Sequence, residues 1–236
     1  MQCVVLSGGL GTRMSRFTSD IPKALIPVNG VPFLEFQLRQ FENSGINKVT
    51  LCIGYKGEMI EEFVSNRNNS NMDIRCIYDG DQLLGTGGAL RSVLDLGELE
   101  EVFMLTYGDS YLTCDYREIY SSFTPNKFES LMVVQSNVFG YERSNVAIEG
   151  DRVSHYSKTN QSENMHWIDY GLSVLKSSII RELVPSSGSY DISMLFEALS
   201  ISGKLEACET KERYYEIGSE IGLEAFKAFL MKNDPQ

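Results

Sequence analysis

Short apolar and β-branched runs alternate along the chain with longer stretches whose apolar positions recur every three or four residues. Gln2 to Ser7 is followed by a helical pattern over Pro32 to Asn43, Lys48 to Ile53 by Gly57 to Ser65, and Asp73 to Tyr78 by Gly87 to Leu96. That rhythm predicts βαβ units, a mostly parallel sheet covered by helices. The run 102 to 106, Val-Phe-Met-Leu-Thr, continues it, and runs near 130 to 135, 145 to 149, 152 to 157 and 168 to 175 then make the pattern richer in strand. The second half is therefore expected to close the sheet and add an antiparallel portion. Helical patterns return at about 189 to 200 and 220 to 231, the second with Ser219 as N-cap and Glu220 placed to favour the helix dipole. No repeat, linker or low-complexity stretch divides the chain. The expectation is one domain over 1–236, with an N-terminal half of about 1–115 and a C-terminal half of about 116–236.

Directly after the first strand comes Gly8-Gly9-Leu10-Gly11-Thr12-Arg13, and ten residues past Arg13 stands Lys23, in Pro22-Lys23-Ala24-Leu25-Ile26-Pro27-Val28. Glycine lets a backbone approach phosphate closely and donate N–H groups, while Arg13 and Lys23 supply charge that amides lack. Two common phosphate loops fail on spacing. A P-loop needs G-x-x-x-x-G-K-[ST], which the chain lacks, and a dinucleotide fingerprint needs a third glycine where Met14 stands. The dinucleotide reading also wants an acid closing the second strand, which instead runs into Gly54-Tyr55-Lys56.

The patterns G-G-x-G-T-R and P-K-x-L-x-P-V are both filled, and in this the chain resembles the sugar-1-phosphate nucleotidylyltransferases. Gly85-Thr86-Gly87-Gly88 brings it nearest in motif form to the heptose and mannose 1-phosphate guanylyltransferases. The resemblance implies an α/β, Rossmann-like fold of the nucleotide-diphospho-sugar transferase type: a mostly parallel mixed sheet flanked by helices, with a smaller antiparallel sugar-binding portion. It implies transfer of a nucleoside monophosphate from an NTP, GTP favoured, to a sugar 1-phosphate, with Mg²⁺ as cofactor. Leu6, Ser7, Gly8, Gly9, Gly11, Thr12, Arg13, Lys23 and Gly85 would hold the nucleotide, and Arg13, Lys23 and Asp109 would be catalytic.

Asp109 ends the run Leu105-Thr106-Tyr107-Gly108, at the sheet edge where ligands of open α/β sheets collect. In the family this Gly-Asp carries a metal ligand; the bland alternative is a turn-capping aspartate. The second metal carboxylate belongs to W-x-D-x-G, matched here by Tyr214-Tyr215-Glu216-Ile217-Gly218, so that Glu216 stands where Asp is usual. For the sugar phosphate the family's E-K-P lysine falls on Lys158, in His155-Tyr156-Ser157-Lys158-Thr159, which lacks the neighbouring carboxylate. Its N-x-G segment falls on Asp169-Tyr170-Gly171; Trp167 and Tyr170 flank the sugar pocket this implies, although such aromatics are more often core than stacking platforms. Gly88, Asp109, Lys158, Asp169 and Gly171 are thus the expected substrate-binding residues, and the 85–89 turn would offer backbone N–H groups to base and sugar. The base-reading position falls at Gly80 between Asp79 and Asp81; an acid there could accept from guanine N1–H and N2–H₂.

Composition narrows the partners. A net charge of −11 over 236 residues, without a basic run, disfavours nucleic acid. No stretch reaches the roughly 20 apolar residues a membrane span needs, and no basic-then-apolar leader is present, so a cytoplasmic protein is expected. Five cysteines without a C-x-x-C pair read as reduced core thiols, and with His155 and His166 they form no zinc spacing. Apolar faces on the last helix leave a homo-oligomer open. Two other functions fit much of this pattern: a cytidylyltransferase acting on a non-sugar phosphate such as phosphocholine, and a non-catalytic nucleotide-sugar sensor.

Overall fold

The computed structural model describes residues 1–9, 20–67, 71–79, 84–138, 140 and 143–233. Among them, nine strands form one twisted sheet in the order β5-β4-β1-β6-β11-β8-β12-β10-β9. These are β1 (Gln2–Ser7), β4 (Lys48–Ile53), β5 (Asp73–Tyr78), β6 (Val102–Tyr107), β8 (Ser130–Ser136), β9 (Val146–Glu149), β10 (Arg152–Tyr156), β11 (Trp167–Lys176) and β12 (Leu205–Thr210). Two short pairs, β2 (Pro27–Val28) with β3 (Val31–Pro32) and β7 (Ser110–Leu112) with β13 (Tyr214–Glu216), lie outside it. β5, β4, β1 and β6 run parallel, as the alternating pattern predicts. β11 then turns antiparallel to both β6 and β8, β12 rejoins β8 in parallel, and β9 and β10 close the far edge as an antiparallel pair. The antiparallel portion is therefore a continuation of the same sheet.

Helices cover both faces. Residues β1 presents alternately divide between two cores: Cys3 and Val5 to one, Val4 and Leu6 to the other. The first core takes α1 (Phe33–Asn43), α2 (Gly57–Ser65) and α4 (Tyr116–Ser122); the second takes α3 (Gly85–Asp95), α5 (Ser177–Leu183) and α6 (Ile192–Ile201). Because β1 is buried on both faces it reads as an unbroken apolar run rather than an alternating one. A third core forms where α7 (Glu220–Asn233) packs Leu223 and Phe226 on Ile26, Val28, Phe33 and Ile217. Ser219 does cap α7, its Oγ accepting from the Gly222 N–H at 3.0 Å.

Several elements escape the sequence pattern. α4 and α5 are only seven residues each, too short to show a helical period, and α4 is held by its cap, Asp115 Oδ1 accepting from the Arg117 and Glu118 N–H groups. β12 carries Glu206 and Glu209, which hide its strand character; Glu206 is buried and satisfied by Thr124. α3 starts two residues before the expected Gly87, and α6 starts at Ile192 rather than 189 because Asp191 is its cap. Three of the five cysteines are buried and two half-buried, all free. Burial pushes the Cys114 thiol up to about 12, so these are inert core residues as expected. Among the described residues no helix is long and apolar enough to cross a membrane.

Candidate active site

β1 is paired with β4 on one side and β6 on the other, so the strand order reverses at its C-terminal end. Crevices at such reversal points are where open α/β sheets take ligands. There the chain forms a cleft of about 500 Å³ whose wall includes Leu6, Ser7, Gly8, Gly9, Lys23, Asp79, Gly85, Thr86, Tyr107 and Asp109. Six of the nine expected nucleotide residues are thereby brought together from three separate segments. Gly11, Thr12 and Arg13 lie outside the described residues, as do Gly80 and Asp81.

The strand ends meet so closely that side chains are excluded. A Cβ on Gly54 would stand 2.8 Å from Gly8 O and 3.1 Å from Gly8 Cα, and one on Gly8 would overlap the Asp79 carboxylate. Gly108 faces the other flank of β1: its N–H donates to Leu6 O at 3.0 Å, and a Cβ there would overlap Ser7 Oγ and approach Ser7 Cα to 3.1 Å. Since the obstacle to Gly54→Ala is backbone, the variant should lose about 1–3 kcal/mol of stability in urea titration. A loss below about 0.5 kcal/mol would mean the glycine loop yields freely. Ser7 Oγ itself is buried without a hydrogen-bond partner among the described residues, leaving a hydroxyl donor at the cleft wall.

Lys23 opens a single 3₁₀ turn, Lys23–Leu25, anchored by the buried Ala24. Its ammonium meets Asp109 Oδ2 at 2.7 Å, with the lysine 16% and the aspartate 32% exposed, so the pair is sheltered yet reachable from the cleft. Asp109 is fixed on its backbone as well, because its carbonyl accepts from the Ile217 N–H at 2.9 Å. Glu216 lies on β13, in register with Ser110 of β7. Its carboxylate turns back on its own turn, Oε2 accepting from the Gly218 N–H and Oε1 from Ser219 Oγ at 2.6 Å. A methyl on Gly218 would overlap Glu216 Oε2 while standing 3.1 Å from Lys23 Nζ and 3.6 Å from Asp109 Oδ2. The two carboxylates and the lysine therefore converge on one small volume over Gly218. Among the described residues no group of three or more His, Cys, Asp or Glu side chains could hold a metal. Two oxygen-only carboxylates fit a hard divalent cation that completes its shell with water and phosphate oxygens, and fit a soft metal poorly.

The start of α3 is occupied differently from the sequence expectation. The Gly87 and Gly88 N–H groups both donate to Tyr190 O, at 2.8 and 3.2 Å, and the Tyr190 N–H donates to Leu84 O at 2.8 Å. Thr86 Oγ1 accepts from the Ile192 N–H at 2.8 Å. Two of the helix's free donors are thus consumed by the 190–192 segment; Gly85 and Thr86 line the cleft, and Gly88 does not.

The expected sugar residues lie across Tyr107. Asp169 sits at the start of a register break in β11, its Oδ1 accepting from the Gly171 N–H at 2.9 Å, and a Cβ on Gly171 would touch the Tyr107 ring at 3.6 Å. Burial pushes the Asp169 carboxyl up to about 6, against the lowering effect of the Gly171 N–H and of the Lys158 ammonium. Lys158 follows β10 and pairs with Asp191 Oδ1 at 3.2 Å. Burial and then the charges of Asp169, Asp191 and Asp109 hold the Tyr107 hydroxyl well above its ordinary value, and Tyr107 itself lines the cleft. Tyr170 points away from the sugar side, into the opposite core, where its ring meets Tyr214 edge-on at 5.6 Å. Asp191 and Tyr107 are the residues that motif reading passes over, the first hidden as a helix cap and the second inside an apolar strand.

The model of the family described as nucleotidyl transferase matches residues 2–218. A D-glycero-alpha-D-manno-heptose 1-phosphate guanylyltransferase of Campylobacter jejuni is 36% identical over 120 residues, 50% of this chain and 52% of the relative. A glucose-1-phosphate cytidylyltransferase of Salmonella typhi is 26% identical over 176 residues, 60% of this chain and 68% of the relative. The match to the Campylobacter protein thus spans about half of that relative's length. Among solved structures, HddC from Yersinia pseudotuberculosis complexed with GMP-PN superposes with a TM-score of 0.80 at 23% identity, covering 97% of this chain and 99% of that one, a likeness of fold. Because the family model matches nearly the whole length of the chain, the chain belongs to the nucleotidyl transferase family.

Proposed function

We propose that this protein is a sugar-1-phosphate nucleotidylyltransferase that uses GTP. The observation that carries the reading is the cleft at the sheet's reversal point. It joins Gly8 and Gly9, the Lys23–Asp109 pair and the start of α3, and its wall residue Tyr107 stands beside Gly171, whose N–H donates to Asp169. In the proposed reaction an oxygen of the sugar phosphate attacks the α-phosphorus in line. The bond to the oxygen bridging α and β phosphates breaks, and pyrophosphate leaves without a covalent enzyme intermediate. No nucleophilic side chain is needed; positioning and charge stabilisation suffice. The amides of Gly8, Gly9 and Gly11 cradle the β and γ phosphates, with Arg13 on the leaving pyrophosphate. Lys23 neutralises the α-phosphate, and Lys158 grips the sugar phosphate while Asp169 accepts from hydroxyls. Asp109 and Glu216 would hold Mg²⁺, which when bound offsets repulsion between the two anionic substrates. Residues 1–115 serve the nucleotide and 116–236 the sugar, within one domain.

Asp79 supports guanine. It follows β5 and stands against Gly8, in the cleft wall, and burial raises its carboxyl to about 6. A carboxylate at that depth accepts from guanine N1–H and N2–H₂ together, a pattern neither adenine nor a pyrimidine presents. Pyrophosphate release measured for four NTPs against the 1-phosphates of D-glycero-D-manno-heptose, mannose and glucose, with phosphocholine alongside, should select GTP and a sugar. Turnover of CTP with phosphocholine, or silence across the panel, would overturn the reading.

Asp79→Asn should lower kcat/KM for GTP about 10- to 100-fold, the worth of one bidentate contact. Only the ionised carboxylate accepts both protons, and its ionisation is opposed by burial. The KM for GTP should therefore rise as pH falls through about 6, and the asparagine variant should lose that dependence. An unchanged acid limb in Asp79→Asn would remove Asp79 from base recognition.

A further inference from the structure

Lys158 lacks the carboxylate that its resemblance calls for on the preceding residue; Ser157 stands there, buried, with its Oγ accepting from the Asn160 N–H at 3.1 Å. The carboxylate comes instead from another element. Asp191 Oδ1 accepts from Lys158 Nζ at 3.2 Å and, as the cap of α6, from the Ser193 N–H at 2.8 Å. Both partners are mounted on fixed supports. The end of β10 is tied to α6 by the Tyr156 N–H donating to Ser200 Oγ at 3.2 Å and by the Tyr156 and Phe196 rings 5.9 Å apart, edge to face. Asp191 is preceded by Tyr190 and followed by Ile192, the two residues whose backbones are hydrogen-bonded to Leu84, Thr86, Gly87 and Gly88 at the start of α3. A shift of the nucleotide turn would therefore carry Asp191 with it.

We propose that Asp191 is a positioning residue for the acceptor: it holds the Lys158 ammonium where the sugar phosphate must sit, and it ties that grip to the nucleotide turn through the 190–192 segment. The role rests on the reading of Lys158 as the sugar-phosphate ligand. Asp191 carries no step of the reaction. It removes the cost of ordering a long, half-exposed lysine each time the acceptor arrives. Its contribution is modest because the pair is about half exposed on each side, 46% and 51%.

The test measures initial rates with GTP and whichever of the three sugar 1-phosphates named above is turned over, in Asp191→Asn, Lys158→Ala and the double variant. Asparagine caps a helix as well as aspartate, so α6 is preserved while the charge is lost. Asp191→Asn should raise the acceptor KM about 3- to 5-fold, the upper range for a partly exposed pair, with kcat and the KM for GTP within about twofold. Lys158→Ala should raise the acceptor KM further, and adding Asp191→Asn to it should change nothing more, because the two act through one contact. An acceptor KM unchanged or lowered in Asp191→Asn, while Lys158→Ala raises it, overturns the positioning role alone. So does a rise in both KM values together with a fallen melting midpoint, which marks a structural cap only. If Lys158→Ala itself leaves the acceptor KM unchanged, the assignment of the sugar phosphate to Lys158 is wrong, and the inference falls with it.

Discussion

Asp109→Ala should cut pyrophosphate release about a thousandfold, the scale on which removal of one preorganised charge-stabilising group acts, while the protein still unfolds cooperatively near the wild-type midpoint. The carboxylate is placed by backbone that does not depend on it: Gly108 is bonded to Leu6, and the Asp109 carbonyl to Ile217. Truncation leaves that scaffold standing. What is lost is the anion that pairs with Lys23 at 2.7 Å and shares the space over Gly218 with Glu216. Lys23 would then sit 16% exposed without its partner, free to swing from the α-phosphate position. Asp109→Asn keeps the shape and should lose nearly as much, since an amide can neither neutralise Lys23 nor hold a divalent cation comparably. Turnover within about tenfold of wild type in both variants would end the two-carboxylate assignment.

Phe226→Ala should cost about 3–5 kcal/mol, the usual range for emptying a buried aromatic site. Against a total stability of roughly 5–15 kcal/mol for a folded protein, that is a large fraction. Phe226 is fully buried and its ring meets those of Phe33 at 5.3 Å, Phe36 at 5.6 Å, Tyr111 at 4.8 Å and Tyr215 at 6.0 Å. Those neighbours belong to α1, β7 and β13, so one side chain joins α7 to the segments that carry Asp109 and Glu216. Urea titration should show a lowered midpoint with an unchanged slope. The milder Phe226→Leu should lose less and remain folded at room temperature. A loss under about 1 kcal/mol for the alanine variant would show that α7 is not part of the cooperative core.

How much of this was legible beforehand varies with the range of the interactions involved. The first half was readable because each strand and helix there carries its own period: Gln2–Ser7, Lys48–Ile53 and Asp73–Tyr78 are runs whose burial follows from their own residues. The glycines at 8, 9 and 11 and the cations at 13 and 23 point to phosphate because only those residue types permit close backbone approach with charge beside it. β12 is hidden by Glu206 and Glu209: the first is buried only because Thr124, far along the chain, satisfies it, and the second is exposed. That the Gly87 and Gly88 N–H groups of the 85–89 turn donate to Tyr190 O was not legible either, because Tyr190 lies about a hundred residues away. Tyr170 flanks the expected sugar pocket in sequence, and strand alternation turns it into the opposite core, where such aromatics more often lie.

By itself, then, the sequence determined the βαβ rhythm, the phosphate chemistry of the loop and the family those motifs resemble, since all three are written in residues close to one another. Only the tertiary structure decided that Asp109 pairs with Lys23, that Asp79 stands behind Gly8, and that the carboxylate missing beside Lys158 is supplied by Asp191 from the cap of α6. Each of these joins groups that the sheet order alone brings into contact. A charge is indifferent to which stretch of chain delivers its partner, so no local spacing could have announced it.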